Sequence, residues 1–200
     1  MHDGAETGAT STYDVAAVYG GGNLSPYEPA DDDGKTEVYI YGCDLTSIKQ
    51  VYGGGNAACA PATLVRVTGA YEIEELFGGG NGYDDYELYG KYYKNPGANV
   101  GYKNYSVLDG TGTGTQADPL GCKDADGTST LEGRRNYAYG SGLATTEIIG
   151  GKIHFVYGGS NKKGNTAIPS RFKKKGSPCR VNIMMKRSSG EKTKNFLAIL

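Results

Sequence analysis

Apolar residues recur along this chain in two patterns. In the first, Val38 and Ile40 stand four and two residues before Gly42, Val65 and Val67 hold the same relation to Gly69, and Thr146 and Ile148 to Gly150. Such alternation predicts a short strand with one face inward, and the glycine that ends it predicts a corner. The second pattern is an apolar residue, two variable residues, an apolar residue, an aromatic, three small residues and Asn. It reads VAAVYGGGN at 15–23, IKQVYGGGN at 48–56, IEELFGGGN at 73–81 and IHFVYGGSN at 153–161. Two residues between the apolar pair break strict alternation, so the strand must bend or bulge if Ile48 and Val51 are both to face inward.

Four copies of one string mark stacked supersecondary units. One unit reads strand, glycine corner, short bent strand, triple-glycine corner. The expectation is an all-β fold, a parallel β-helix (β-solenoid) fragment. The corner triplets Gly20, Gly21 and Gly22, Gly53, Gly54 and Gly55, Gly78, Gly79 and Gly80, and the pair Gly158 and Gly159 are expected to turn the chain through positive φ without a Cβ clash. Asn, which tolerates the left-handed region and bonds nearby backbone, suits the position that follows. Stacking at the strand spacing of ~4.8 Å would align Asn23, Asn56, Asn81 and Asn161 as a side-chain ladder. Tyr19, Tyr52, Phe77 and Tyr157 would form an aromatic strip beside it.

The copies start 33, 25 and 80 residues apart, so the connections between them vary. This divides the chain into a polar segment at 1–14, a repeat domain at 15–161 with a long insertion at 82–143, and a basic tail at 162–200. The first copy has no upstream alternation, as if the chain began partway through a stack whose flanking repeats lie in a longer parent. Hydrophobic residues make up 38% of the chain, Trp is absent and 33 residues are Gly, which suits a narrow interior rather than a deep core. Charge is uneven: residues 1–161 hold ten Lys or Arg against 21 Asp or Glu, and residues 162–200 hold eleven against Glu191 alone. The tail, with Lys162, Lys163, Arg171, Lys173, Lys174 and Lys175 among Gly, Pro and Ser, is expected to be disordered. Beside an acidic body with no recognition fold, its charge does not indicate nucleic acid.

The insertion carries Tyr83, Tyr86, Tyr89, Tyr92, Tyr93, Tyr102 and Tyr105. Gly90, Pro96, Gly97 and Gly101 oppose a long helix, so an excursion built as a hairpin or an ordered loop is expected. Its rings either cover the side of the stack or form a binding face; Tyr83, Tyr86, Tyr89, Tyr92 and Tyr93 are the candidate binding residues.

Other chemistry is weakly encoded. Residues 53–58 fit G-x-G-x-x-A but lead into another strand rather than a helix, and residues 159–166 place Asn165 where a phosphate loop needs Lys. Asp124, Asp126 and Glu132 miss the EF-hand spacing, and Asp31, Asp32 and Asp33 read as a solvated turn, so no metal or cofactor is expected. Cys43, Cys59, Cys122 and Cys179 lack zinc spacing; they are incidental thiols, or Cys43 and Cys59 form one disulfide. His2 is terminal, and His154 occupies a variable position of the fourth copy, where an outward side chain is expected. Asp84, Asp85, Glu87 and Lys91 are the only group resembling a carboxylate machinery.

The fullest copy, strand plus Gly-Gly-x-Ile-x-x-Val-Tyr-Gly-Gly-Ser-Asn at 150–161, resembles the glycine-rich repeats of large surface or secreted proteins of gut Bacteroidota, which look like right-handed parallel β-helices. The resemblance covers 15–81 and 145–161. It implies an extracellular or cell-surface location and a noncatalytic scaffold for adhesion, glycan contact or assembly, with a glycan or a host or cell-surface protein as partner. A carbohydrate-active β-helix enzyme and a plain structural spacer are the alternatives. No signal peptide and no membrane-spanning stretch is read in the chain.

Overall fold

The computed structural model describes residues 13–29, 34–41, 46–101, 106–124, 142–164, 166 and 168–174. Among them every regular element is a strand. In one parallel sheet β1 (Val15–Tyr19), β3 (Ser47–Tyr52), β5 (Glu72–Phe77) and β11 (Ile153–Tyr157) lie side by side in that order. A second parallel sheet runs β2 (Thr36–Ile40), β4 (Thr63–Val67), β10 (Leu143–Ile148) and β12 (Ile168–Lys174). The chain passes alternately through one sheet and the other, and each return adds a strand beside the previous one.

The register follows the sequence pattern. Val15 pairs with Ile48, Ile48 with Ile73 and Ile73 with Ile153, so the four copies are the four strands of the first sheet. Ile48 and Val51 are both buried while Lys49 between them is exposed, which is the bend the spacing demanded. The ladder runs from the Ile48 and Ile73 pair directly to Gln50 and Glu75, passing over Lys49 and Glu74. In the second sheet Val38, Val65 and Thr146 pair in a row, and Ile40, Val67 and Ile148 in the next. Inward residues of both sheets share one cluster: Ile48, Val51, Ile73, Leu76, Ile153 and Val156 from the first, and Val38, Val65, Val67 and Ile148 from the second. Each such side chain, fully buried, stabilises by roughly 1.5–3 kcal/mol.

Thr146 is the exception in that cluster's surroundings. It is fully buried in the row of Val38 and Val65, and its Oγ1 has no hydrogen-bond partner. Thr63, by contrast, donates its hydroxyl to the Gly78 carbonyl at 2.5 Å, and Thr36 to Gly53 at 2.6 Å. Thr146→Val is therefore expected to raise stability by about 1 kcal/mol, since it removes an unpaired buried hydroxyl at nearly constant volume. A urea unfolding midpoint that falls instead would show that the hydroxyl has a partner.

Three expectations need correction. The corner glycines do not turn through positive φ: Gly82, Gly90 and Gly151 do, but none of the triplet residues, and the ladder asparagines do not either. The triplets serve close approach. Gly21 donates to Gly54 at 3.1 Å, Gly54 to Gly79 at 3.0 Å and Gly79 to Gly159 at 3.0 Å, so the ladder continues straight through the corner. A Cβ on Gly21 would lie 2.7 Å from the Gly55 nitrogen, and one on Gly54 would lie 3.0 Å from that of Gly80. Glycine is required because backbone is stacked on backbone.

The second correction concerns the tail, where residues 168–174 form β12 on the edge of the second sheet. Edge pairing satisfies backbone donors and acceptors whatever the side chains, so a basic sequence conceals it. Pro169 falls where the pairing to β10 slips by one residue, a place where an edge strand tolerates a missing N–H. Residues 175–200, like 1–12, lie outside the described residues.

Third, residues 82–143 are not one excursion. Val100 bridges Ala60 on one side and Thr166 on the other, and Ala98, Asn99 and Val100 are buried. The chain thus leaves the stack after Asn81, returns at 98–101 and leaves again. The first excursion is the antiparallel pair β6 (Tyr86–Leu88) and β7 (Lys91–Tyr93); the second includes β8 (Ser106–Leu108) paired with β9 (Cys122–Asp124).

Candidate functional site

The last corner residue of each copy carries a ladder of amides. Asn56 Nδ2 donates to Asn23 Oδ1 at 2.8 Å, Asn81 to Asn56 at 2.9 Å and Asn161 to Asn81 at 3.1 Å. Beside it Tyr19, Tyr52, Phe77 and Tyr157 stack with ring centroids 4.8, 4.9 and 4.6 Å apart, the aromatic strip expected. The two features are joined: Asn81 Nδ2 lies 3.2 Å from the Tyr19 hydroxyl and Asn161 Nδ2 3.2 Å from that of Tyr52. Burial pushes the Tyr52 phenol well above its ordinary range, and burial together with the Asp84 carboxylate raises Tyr19. Both therefore stay neutral in neutral solution. Ser160, which replaces the third glycine in the last copy, donates its hydroxyl to Ala98 at 2.9 Å and receives the Gly80 N–H at 3.2 Å.

This platform carries the tyrosine hairpin. Tyr86 and Tyr93, directly opposite on β6 and β7, stack at 5.4 Å, and Glu87 lies across from Tyr92. The hydrogen bond from the Tyr92 hydroxyl to the Glu87 carboxylate raises that phenol above its usual range. Tyr89 and Gly90 join the strands at φ 52° and 74°. Two consecutive positive φ values are those of a type I′ turn, where Asn-Gly is the usual pair. Tyr89 is 94% exposed there. The hairpin is braced from behind, because Tyr92 N–H donates to Gly114 and Lys94 N–H to Leu120. The five candidate tyrosines thus divide: Tyr86 and Tyr93 pack on each other, Tyr92 ties the strands, and Tyr89 points into solvent.

Tyr83 lies apart, in a cleft of about 200 Å³ between the third and fourth corners. One wall is Gly82, Tyr83 and Asp85; the other is Lys162 and Lys163; Lys94 and Asn95, on the return from the hairpin, close the third side. The Lys162 ammonium sits over the Tyr83 ring, 4.2 Å from its centroid, within cation–π range. Asn95 is buried and locks the floor. Its Nδ2 donates to the carbonyls of Asn56 and Asp84 at 3.1 Å each, and its Oδ1 accepts from Gly97 N–H at 2.9 Å. Sequence reasoning missed Lys94, Asn95 and the two lysines as a group. The available signal was Lys162 and Lys163 standing where the other copies have Leu24 and Ser25, Ala57 and Ala58, and Gly82 and Tyr83.

The carboxylates weighed for catalysis have structural partners. Asp84 accepts from Asn81 Nδ2 at 2.8 Å, extending the amide ladder, and Asp85 accepts from Asn95 N–H at 3.3 Å. Glu87 serves Tyr92, and Lys91 pairs across the hairpin with Leu88. His154 projects outward, half exposed, and meets Glu72 at 2.5 Å; Lys152 reaches the same carboxylate oxygen at 3.0 Å. The Lys152 hydrogen bond, with that of His154 adding to it, lowers the Glu72 carboxyl below its ordinary range.

Among the described residues no group of three or more His, Cys, Asp or Glu is placed to hold a metal ion, and no helix is long and apolar enough to cross a membrane. Cys59 and Cys122 are buried, whereas Cys43, Asp31, Asp32, Asp33, Asp126, Glu132, Tyr102 and Tyr105 lie outside the described residues. No family model, curated protein or solved structure matches the chain, so the reading of its role rests on the geometry above.

Proposed function

We propose that the two parallel sheets are opposed walls of a β-solenoid, and that the chain is a noncatalytic scaffold of an extracellular or cell-surface protein. Its stacked corners form a stiff platform that holds a tyrosine hairpin out for contact with a glycan or a partner protein. The solenoid reading is supported by the alternation of successive strands between two sheets of four, and by side-chain ladders that run the length of the stack. The contact reading is carried by Tyr89. A bulky residue in the left-handed region is disfavoured by about 1 kcal/mol or more, and a ring almost wholly in solvent recovers nothing from packing. Strain kept at an exposed aromatic points to recognition.

Tyr89→Asn supplies the residue the turn prefers, so it is expected to stabilise the protein by about 1 kcal/mol. It is also expected to abolish retention on those neutral glycans of an array that hold the wild-type chain. Unfolding midpoints and binding, read on the same preparations with a reducing-end assay for turnover, test both halves. Bond cleavage on the array would replace the scaffold with a carbohydrate-active enzyme. Retention of neither form would leave a structural spacer, and equal retention of both would place the contact away from Tyr89.

A further inference from the structure

The geometry points to the cleft between the third and fourth corners as a binding site for an anionic sugar, a pyranose bearing a carboxylate or a sulfate. It goes beyond the hairpin, and it rests on the scaffold reading only in expecting a glycan as the ligand.

The cleft departs from the pattern that builds the stack. Lys162 N–H donates to the Asn81 carbonyl, Gly82 N–H to that of Asn56 and Ala57 N–H to that of Asn23, so these residues occupy one structural position in successive passes. Ala57 there is buried, and so is Ala58 after it. The third copy places Gly82 and Tyr83, and the fourth Lys162 and Lys163, at the same two positions. A side chain at Gly82 would be driven into the Lys163 carbonyl, so the hollow depends on the absence of a Cβ. Neither lysine is needed to close the core. The stack would tolerate small residues here, as its second pass does, and instead the Lys162 ammonium faces a tyrosine ring and that of Lys163 bonds the Asn95 carbonyl.

The lining selects the ligand. Lys94 and Lys162 are exposed, and Lys163 is held by a hydrogen bond from its Nζ to the Asn95 carbonyl at 3.0 Å. Against these three cations stands one carboxylate, Asp85. A bare inorganic anion would satisfy the ammonium groups but meet Asp85 unfavourably. A sugar acid brings an anionic group for Lys94 and Lys162 and hydroxyl donors for Asp85. Its C–H face suits the Tyr83 ring, which is 51% exposed. Lysines act as point charges without a preferred oxygen geometry, so carboxylate and sulfate are both accommodated.

Isothermal titration of the intact chain with an oligogalacturonate, its neutral methyl ester, a sulfated galactan oligosaccharide and inorganic sulfate tests the site. One or both charged glycans should bind, with affinity falling as salt rises, and the neutral ester and inorganic sulfate should bind at least about tenfold more weakly. Lys94→Gln combined with Lys162→Gln should weaken the charged glycan by about tenfold or more, and Tyr83→Ala should weaken it further. These side chains lie on the surface, so melting curves of the variants should match the parent and exclude misfolding. Equal binding of ester and acid, unchanged affinity in the double lysine variant, or no binding of either charged glycan would each overturn the proposal. Tyr89→Asn separates the two readings: cleft binding that persists in that variant supports a distinct site, and its loss would assign the glycan to the hairpin.

Discussion

Gly53→Ala is expected to destabilise the protein by about 3 kcal/mol or more, the combined effect of overpacking a rigid wall and breaking a ladder bond. Gly53 is buried in the second corner, with its N–H donated to Phe77 at 2.9 Å and its carbonyl accepting the Thr36 hydroxyl at 2.6 Å. An added methyl would land on the Gly78 carbonyl oxygen, 3.0 Å from Val65 Cγ2 and 3.1 Å from Thr63 Cβ. None of these neighbours is the free end of a flexible side chain. Moving Gly78 disturbs the next corner, and moving Thr63 breaks its own bond to the Gly78 carbonyl. Gly90→Ala is the control. It has positive φ but nothing within 4 Å of an added methyl, so only the left-handed penalty of ~1 kcal/mol applies. Urea unfolding of both variants separates close approach from backbone conformation. A Gly53→Ala loss no larger than that of Gly90→Ala would mean that the corners have room to separate.

The contrast between those glycines also marks what the sequence could tell. Apolar periodicity located β2, β4 and β10 and the four strands of the first sheet, because inward positions leave a record in side-chain chemistry. It placed Ile48 and Val51 on one side of a bent strand for the same reason. The aromatic strip and the amide ladder followed once identical strings were assumed to lie in register. Positive φ and close backbone approach both exclude a Cβ, however, so a glycine triplet cannot say which requirement it meets. Residues 98–101 return to the stack on small residues and one valine, with no copy of the motif to announce them. β12 pairs through its backbone, and its lysines, arginine and proline read as a solvated tail. The cleft draws Lys94 and Lys162 from distant parts of the chain, and only the stacking of the fourth corner on the third makes them neighbours.

Asn81→Ala is expected to cost about 3 kcal/mol, several times the loss from Asn23→Ala, because the same residue type stands in two surroundings. Asn81 is 1% exposed, with Nδ2 within hydrogen-bond reach of Asn56 Oδ1, Tyr19 OH and, at 2.8 Å, Asp84 Oδ2. Its Oδ1 accepts from Asn161 Nδ2 at 3.1 Å. Truncation leaves an amide on each side without its partner and strips a carboxylate of a donor, and bonds to charged groups contribute about 1.5–3 kcal/mol. Asn23, at the outer end of the ladder and exposed, accepts one bond from Asn56, and water can replace it. The distinctive quantity is the coupling between neighbours. Residues that share one hydrogen-bond network commonly couple by about 0.5–3 kcal/mol, so the Asn56→Ala and Asn81→Ala double-mutant cycle should return a value in that range, from urea unfolding of the four proteins. A polarised row of amides predicts that truncating Asn81 weakens the Asn56 contact to Asn23 as well. Strict additivity would show instead that each corner is held by its own backbone bonds, with the amides contributing one by one.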